Sequence, residues 1–144
     1  AGFAPTMPGV THVPYPNTYR PLFAGADQGR AVLDYIRMLF ERNVPPSEVA
    51  AILIEPLNQH DAPGYFLRTT EQARDLIAEV GFPNLKLMFD CYHVGRTEGD
   101  VVTRLHKVAP DIGHIQFASV PDRGTPDHGD VDYRVVFAEI QRIG

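Results

Sequence analysis

Two apolar runs in the middle of the chain each end on a single carboxylate. Residues 49–55 read VAAILIE and residues 85–90 read LKLMFD. A continuous apolar run closed by one charged group is how a strand buried on both faces reads, and such strands belong to parallel sheets. Between the runs, Ala73, Leu76, Ile77 and Val80 recur at helical spacing, one apolar stripe on an otherwise polar segment. Strand, helix, strand in that order implies a parallel pair joined by a right-handed crossover.

The same alternation extends in both directions. Residues 26–43 predict a helix with Val32, Ile36, Leu39 and Phe40 on one face, Asp27 near its start and Arg42 near its end, both signs matching the helix dipole. Pro45 and Pro46 stop it, and Ser47 heads a short turn. Thr69 or Thr70 caps the helix at residues 71–80, and Gly81 ends it. Residues 100–108 predict a helix burying Val101, Leu105 and Val108, stopped by Pro110; residues 112–118 (IGHIQFA) predict a strand; residues 133–143 predict a last helix burying Val136, Phe137 and Ile140. Residues 120–132 read as a polar loop. At the other end, residues 1–9 read as an irregular lead-in and 17–25 as loop. Residues 10–16 (VTHVPYP) read as a short edge strand, because Pro14 and Pro16 cannot donate to a ladder.

The expectation is one α/β domain over residues 1–144. It has four successive βα units and a parallel four-stranded sheet, as a half-barrel or an open flavodoxin- or Rossmann-like sheet. With strands in sequential order every helix falls on one face. The bare opposite face then calls for a homodimer.

Composition narrows the partners. With 144 residues the chain is too short for a complete eight-stranded α/β barrel of roughly 250 residues. Net charge is −5, and only Lys86 and Lys107 among the thirteen basic residues are lysines. No basic cluster is present to neutralise phosphates, so no nucleic-acid partner is expected. No apolar run reaches the roughly 18 residues of a membrane span. No signal peptide is visible, and the simplest compartment is the cytoplasm. Cys91 is the sole cysteine, which excludes an internal disulfide.

Ligands of parallel sheets sit at the carboxyl ends of the strands. The strand-end polar residues are Glu55, Asp90 and Gln116: three oxygen donors at corresponding depth, suited to Mg²⁺ or Mn²⁺. A lone strand-end carboxylate equally well caps a loop or pairs with an arginine; the recurrence favours a site. His93 follows Asp90 by three residues, and His114 shares a pleat face with Gln116. His12, His60, His106 and His128 read as surface residues, and Cys91 as a small buried filler.

The tracts LIEPLNQHDAPGYFL, NLKLMFDCYHVGRTEGD and GHIQFASVPDRGTPDHGDVDY resemble hydroxypyruvate isomerase and its relatives among the xylose-isomerase-like barrels. The likeness covers residues 52–144 and matches strands five to seven. It implies that Glu55, Asp90 and Gln116 bind a divalent metal, that His93 and Arg123 contact substrate, and that Glu55 is one of two acid–base glutamates. The second glutamate belongs to strand eight, which does not appear here. Residues 1–56 (GFAPTMPGVTHVPYPNTYRP and VPPSEVAAILIEP) resemble a class III pyridoxal-phosphate aminotransferase of the 4-aminobutyrate type. That segment lacks the phosphate loop and Schiff-base lysine, so no pyridoxal phosphate is expected. The two likenesses imply a chimera, engineered or selected and joined within a shared strand, without evolved catalysis and with a partial metal site. The alternative is an isomerase completed by homodimerisation.

Overall fold

A computed structural model describes residues 9–16, 20–25 and 27–144 of the chain. The chain divides into two compact units, Ala1–Val49 and Ala50–Gly144.

In the first unit, helix α1 spans Gln28–Arg42. The Asp27 side chain accepts from the Arg30 amide at 2.8 Å and caps it. Asn43 closes the other end through its backbone amide to Leu39. Val32, Ile36, Leu39 and Phe40 lie buried or half-buried while Leu33, Arg37 and Met38 face out, so the predicted stripe holds. Gln28, buried at the first turn, donates to the carbonyls of Phe23 and Gly25 at 2.9 and 2.8 Å. Pro46–Glu48 form a single 3-10 turn. Residues 10–16 join no strand, which corrects the expected first strand. The two prolines that confined it to an edge leave too few donors for a ladder.

In the second unit, β1 (Ile52–Ile54), β2 (Leu85–Asp90) and β3 (Ile112–Gln116) form a parallel sheet in the order β1-β2-β3. The α/β class and the parallel sheet hold, and the strand order, which the sequence left open, is sequential. The sheet among the described residues has three strands, not four. Helix α2 is Thr70–Val80, α3 is Cys91–Thr97, α4 is Val101–Val108 and α5 is Tyr133–Ile143.

Caps fix the helix ends in register. The Thr69 hydroxyl accepts from Gln72 N, and Gly81 takes the left-handed conformation at φ 69° that ends α2. The Thr70 amide and hydroxyl both donate to the near-buried Glu98 carboxylate, at 2.8 and 3.0 Å. Asp100 caps α4 and Asp132 caps α5.

The core gathers Leu87 and Phe89 of β2 with Ala73, Leu105, Val108 and Val136 of the helices, all fully buried. A large side chain buried this way contributes roughly 1.5–3 kcal/mol. Alternation sends the intervening residues to the other face. Register sets Asp90 beside Gln116 and Met88 beside His114. Glu55, two residues beyond Leu53, projects to the same side. This second face ends at the carboxyl edge in an oxygen-rich rim.

Candidate functional site

The rim is built at the ends of β1 and β2. Asp90 is both the last residue of β2 and the N-cap of α3. Its Oδ1 accepts from the Tyr92 amide at 2.8 Å, and its Oδ2 lies 3.9 Å from His93 Nε2. Glu55 Oε1 approaches the same nitrogen at 3.8 Å. One donor atom from each of Glu55, Asp90 and His93 falls within 4.8 Å of the others. The structure thus brings three of the five expected site residues into one cluster.

Gln116 is exposed and joins through its register with Asp90 at the end of β3. Arg123 reaches the cluster from the loop after β3. Its Nη2 lies 3.5 Å from His93 Nε2, and its guanidinium carbon sits 5.1 Å from the centre of the Tyr92 ring. Arg123 has φ 60°, a left-handed backbone that costs a side-chain-bearing residue roughly 1–2 kcal/mol. The Ser119 carbonyl, accepting from the Arg123 amide at 2.9 Å, helps hold it there. Strain retained by surrounding bonds is what functional positions show.

Electrostatics set the rim apart from the surface. Burial raises Glu55 to about 7, and the Asp90 charge adds to the rise, partly offset by Arg123. Burial likewise lowers His93, against the pull of Asp90. Two carboxylates forced together out of water repel each other, and a divalent cation between them removes that cost. The residues therefore fit such an ion. Glu55, Asp90 and the Gln116 amide oxygen are hard donors, as Mg²⁺ and Mn²⁺ require.

Three residues unremarked in the sequence complete the site. Asn58, fully buried, points its backbone amide and its Nδ2 at His93 Nδ1, at 3.1 and 2.7 Å. Its Nδ2 also donates to Asp61 Oδ2 at 3.1 Å, and the Tyr92 hydroxyl donates to that oxygen at 2.6 Å. Those bonds, Tyr92 first, hold Asp61 below the usual carboxylate range. No local pattern marks Asn58, since its partner is 35 residues away. The readings that set residues aside hold: His12, His60, His106 and His128 are exposed. Cys91 is fully buried, with its thiol pushed up to about 12 by burial.

Comparison with known proteins corrects the chimera. The family profile described as "Xylose isomerase-like TIM barrel" matches residues 8–144 as one span. A 2-oxo-tetronate isomerase of Cupriavidus necator is 41% identical over 122 residues, covering 84% of this chain and 47% of that protein. That coverage exceeds what residues 52–144 supply, so the likeness crosses position 52 into the segment read as aminotransferase. The hydroxypyruvate isomerase of Escherichia coli is 40% identical over 102 residues, covering 71% of this chain and 40% of the other. Among solved structures, an AP endonuclease, family 2, from Brucella melitensis superposes with TM-score 0.68 at 31% identity, over 80% of this chain and 44% of that one. The chain spans about half the length of the curated relative of highest identity among these. Nothing supports an aminotransferase portion or a non-catalytic recombinant. The misreading met the isomerase likeness at ILIEP, a short apolar strand followed by Pro that reads alike in unrelated parallel-sheet proteins.

Proposed function

This chain belongs to the xylose isomerase-like TIM barrel family, and we propose that it carries the metal- and substrate-holding wall of an isomerase acting on short hydroxy-oxo acids such as hydroxypyruvate. The observation that carries the reading is the carboxylate pair at the strand ends. Glu55 and Asp90 converge with His93 within 4.8 Å, on the face and at the edge where barrel enzymes do chemistry. Relatives named as 2-oxo-tetronate and hydroxypyruvate isomerases support the substrate class.

Such an isomerisation moves a hydrogen from a hydroxyl-bearing carbon to the adjacent carbonyl carbon, while a proton passes between their oxygens. Nothing is oxidised overall. Glu55 is the base that takes the carbon-bound proton. Burial and the Asp90 charge raise its proton affinity in the metal-free site; a cation held beside it would draw that affinity down and keep it an ionised carboxylate, the form a base needs. Arg123 offers the planar fork that pairs with the substrate carboxylate. A bound Mg²⁺ or Mn²⁺, held by Glu55, Asp90 and Gln116, would polarise the substrate oxygens and stabilise developing negative charge. A dry, preorganised pocket for this chemistry requires a wall facing these strand ends.

The test is interconversion of hydroxypyruvate and tartronate semialdehyde by the purified chain with Mn²⁺. Expected is turnover abolished by Glu55→Gln and by chelation. Turnover indifferent to Glu55→Gln sinks the catalytic assignment.

A further inference from the structure

His93 stands among carboxylates where a cation would sit, and its ring nitrogens decide whether it can be a ligand. The backbone amide of Asn58 can only donate, and it points at His93 Nδ1 from 3.1 Å. The Asn58 side chain is oriented independently. Its Oδ1 accepts from the amides of His60 and Asp61, both at 3.0 Å. That leaves its NH₂ group facing His93 Nδ1 at 2.7 Å and Asp61 Oδ2 at 3.1 Å. Two donors therefore converge on Nδ1. No bond of normal length reaches the other nitrogen: Arg123 Nη2 lies 3.5 Å from Nε2, at the limit of hydrogen bonding, and the Glu55 and Asp90 oxygens lie beyond it at 3.8 and 3.9 Å. The two short donors at Nδ1 therefore set the tautomer, with the ring proton on Nε2.

We infer that Asn58 is a positioning residue that fixes His93 as an Nε2–H donor, which removes His93 from the metal's ligand set and aims its proton at a substrate oxygen. The tautomer follows from the bonds alone; its use toward substrate rests on the isomerase reading. Asp61 and Tyr92 brace the amide, since Asp61 Oδ2 accepts from both Asn58 Nδ2 and the Tyr92 hydroxyl. A metal-bound Nε2 would have to be bare. The three-residue cluster of Glu55, Asp90 and His93 then divides into two ligands and one donor.

Nitrogen-15 NMR of the ring-labelled full chain tests this without reference to activity. The expected spectrum shows His93 Nδ1 as the unprotonated, pyridine-type nitrogen and a proton on Nε2. Saturating Mg²⁺ should leave both features in place. Asn58→Asp retains the backbone donor and the oxygen that the two amides need but replaces the side-chain donor with an acceptor, and should raise the share of His93 protonated at Nδ1. In calorimetric titration, His93→Gln should bind Mn²⁺ as the parent does, while Asp90→Asn binds it at least about 100-fold more weakly. A protonated Nδ1 in the parent, loss of the Nε2 proton with Mg²⁺, an unchanged tautomer in Asn58→Asp, or loss of Mn²⁺ binding in His93→Gln would each overturn the inference. If Asn58→Asp fails to fold, the parent spectrum decides. If no metal binds and no turnover occurs, the isomerase reading fails while the tautomer stands on its own spectrum.

Discussion

Two places in the second unit assemble the same kinds of group, two carboxylates around a histidine, and treat them oppositely. At the strand ends, Glu55 and Asp90 flank His93, and burial dominates: Glu55 rises to about 7 and His93 falls. On the loop after β3, Asp122 and Asp127 flank His128 at 2.8 and 3.0 Å. There the bonds dominate: the His128 bond lowers Asp122, the Thr125 bond first holds Asp127 at about 2, and Asp122 raises His128. Ser119 also bonds Asp122. The loop cluster has already satisfied its charges internally. The rim has not, and groups kept unsatisfied at a strand end are the ones available to a ligand.

The sharpest way to break this contrast is metal affinity. Asp90→Asn should weaken Mn²⁺ binding at least about 100-fold by calorimetry, while Asp122→Asn leaves it unchanged. Equal losses would make the two clusters equivalent.

Stability against pH comes next. Glu55 holds its proton more tightly folded than unfolded. Between its ordinary value of 4.5 and about 7, the folded state binds more protons, so stability falls as pH rises through that window, by up to about 3 kcal/mol. Glu55→Gln should flatten that slope in chemical denaturation, and so should saturating Mn²⁺. His128 also has a raised folded value. Its contribution is complete below 6.5 and is lost as pH rises through the folded value, a loss that His128→Gln abolishes and Mn²⁺ does not. If Mn²⁺ flattens both slopes, the loop is part of the metal site.

A third carboxylate separates burial from dissatisfaction. The Glu98 side chain is 6% exposed, as hidden as Asp90, yet it accepts two bonds from Thr70 and pairs with Arg104 at 3.5 Å. Glu98→Ala should cost about 1–3 kcal/mol in urea titration, because the buried donors lose their partner. It should leave metal affinity intact. The smallest effect is at Cys91: its buried thiol should label only at the rate the chain unfolds, with or without Mn²⁺.

Much of this was legible in residues whose signals are local. The run LKLMFD became β2 at residues 85–90, Thr69 proved to be the cap of the two threonines offered, and Gly81 ended the helix as read. Strand-end spacing also picked out Glu55 and Asp90, which the fold brings together with His93. What escaped has a common cause. Helix α3 shows no stripe because Cys91, Tyr92, His93 and Val94 are all buried, so there is no polar face to alternate with. Asn58 and Asp61 looked like loop polarity, since only the folded chain brings them to His93 and Tyr92. Residues 10–16 carried β-type side chains but lacked backbone donors. And the apolar run at residues 49–55 read alike in two families, and it read as a strand buried on both faces, whereas β1 is only Ile52–Ile54 with Ile52 and Leu53 exposed.

Strand β2 passes into α3 with no connecting loop, and Asp90 is the joint. One of its oxygens secures the helix while the other faces the cluster. The side chain has no slack: its chemical oxygen inherits the stiffness of the central strand. A longer Glu at this position would surrender either the helix start or the placement, so the fold itself polices the choice of acid there. Asparagine keeps the capping oxygen and puts an uncharged NH₂ group in place of the oxygen that faces the cluster. That makes position 90 a place where chemistry can be switched off while architecture stays whole.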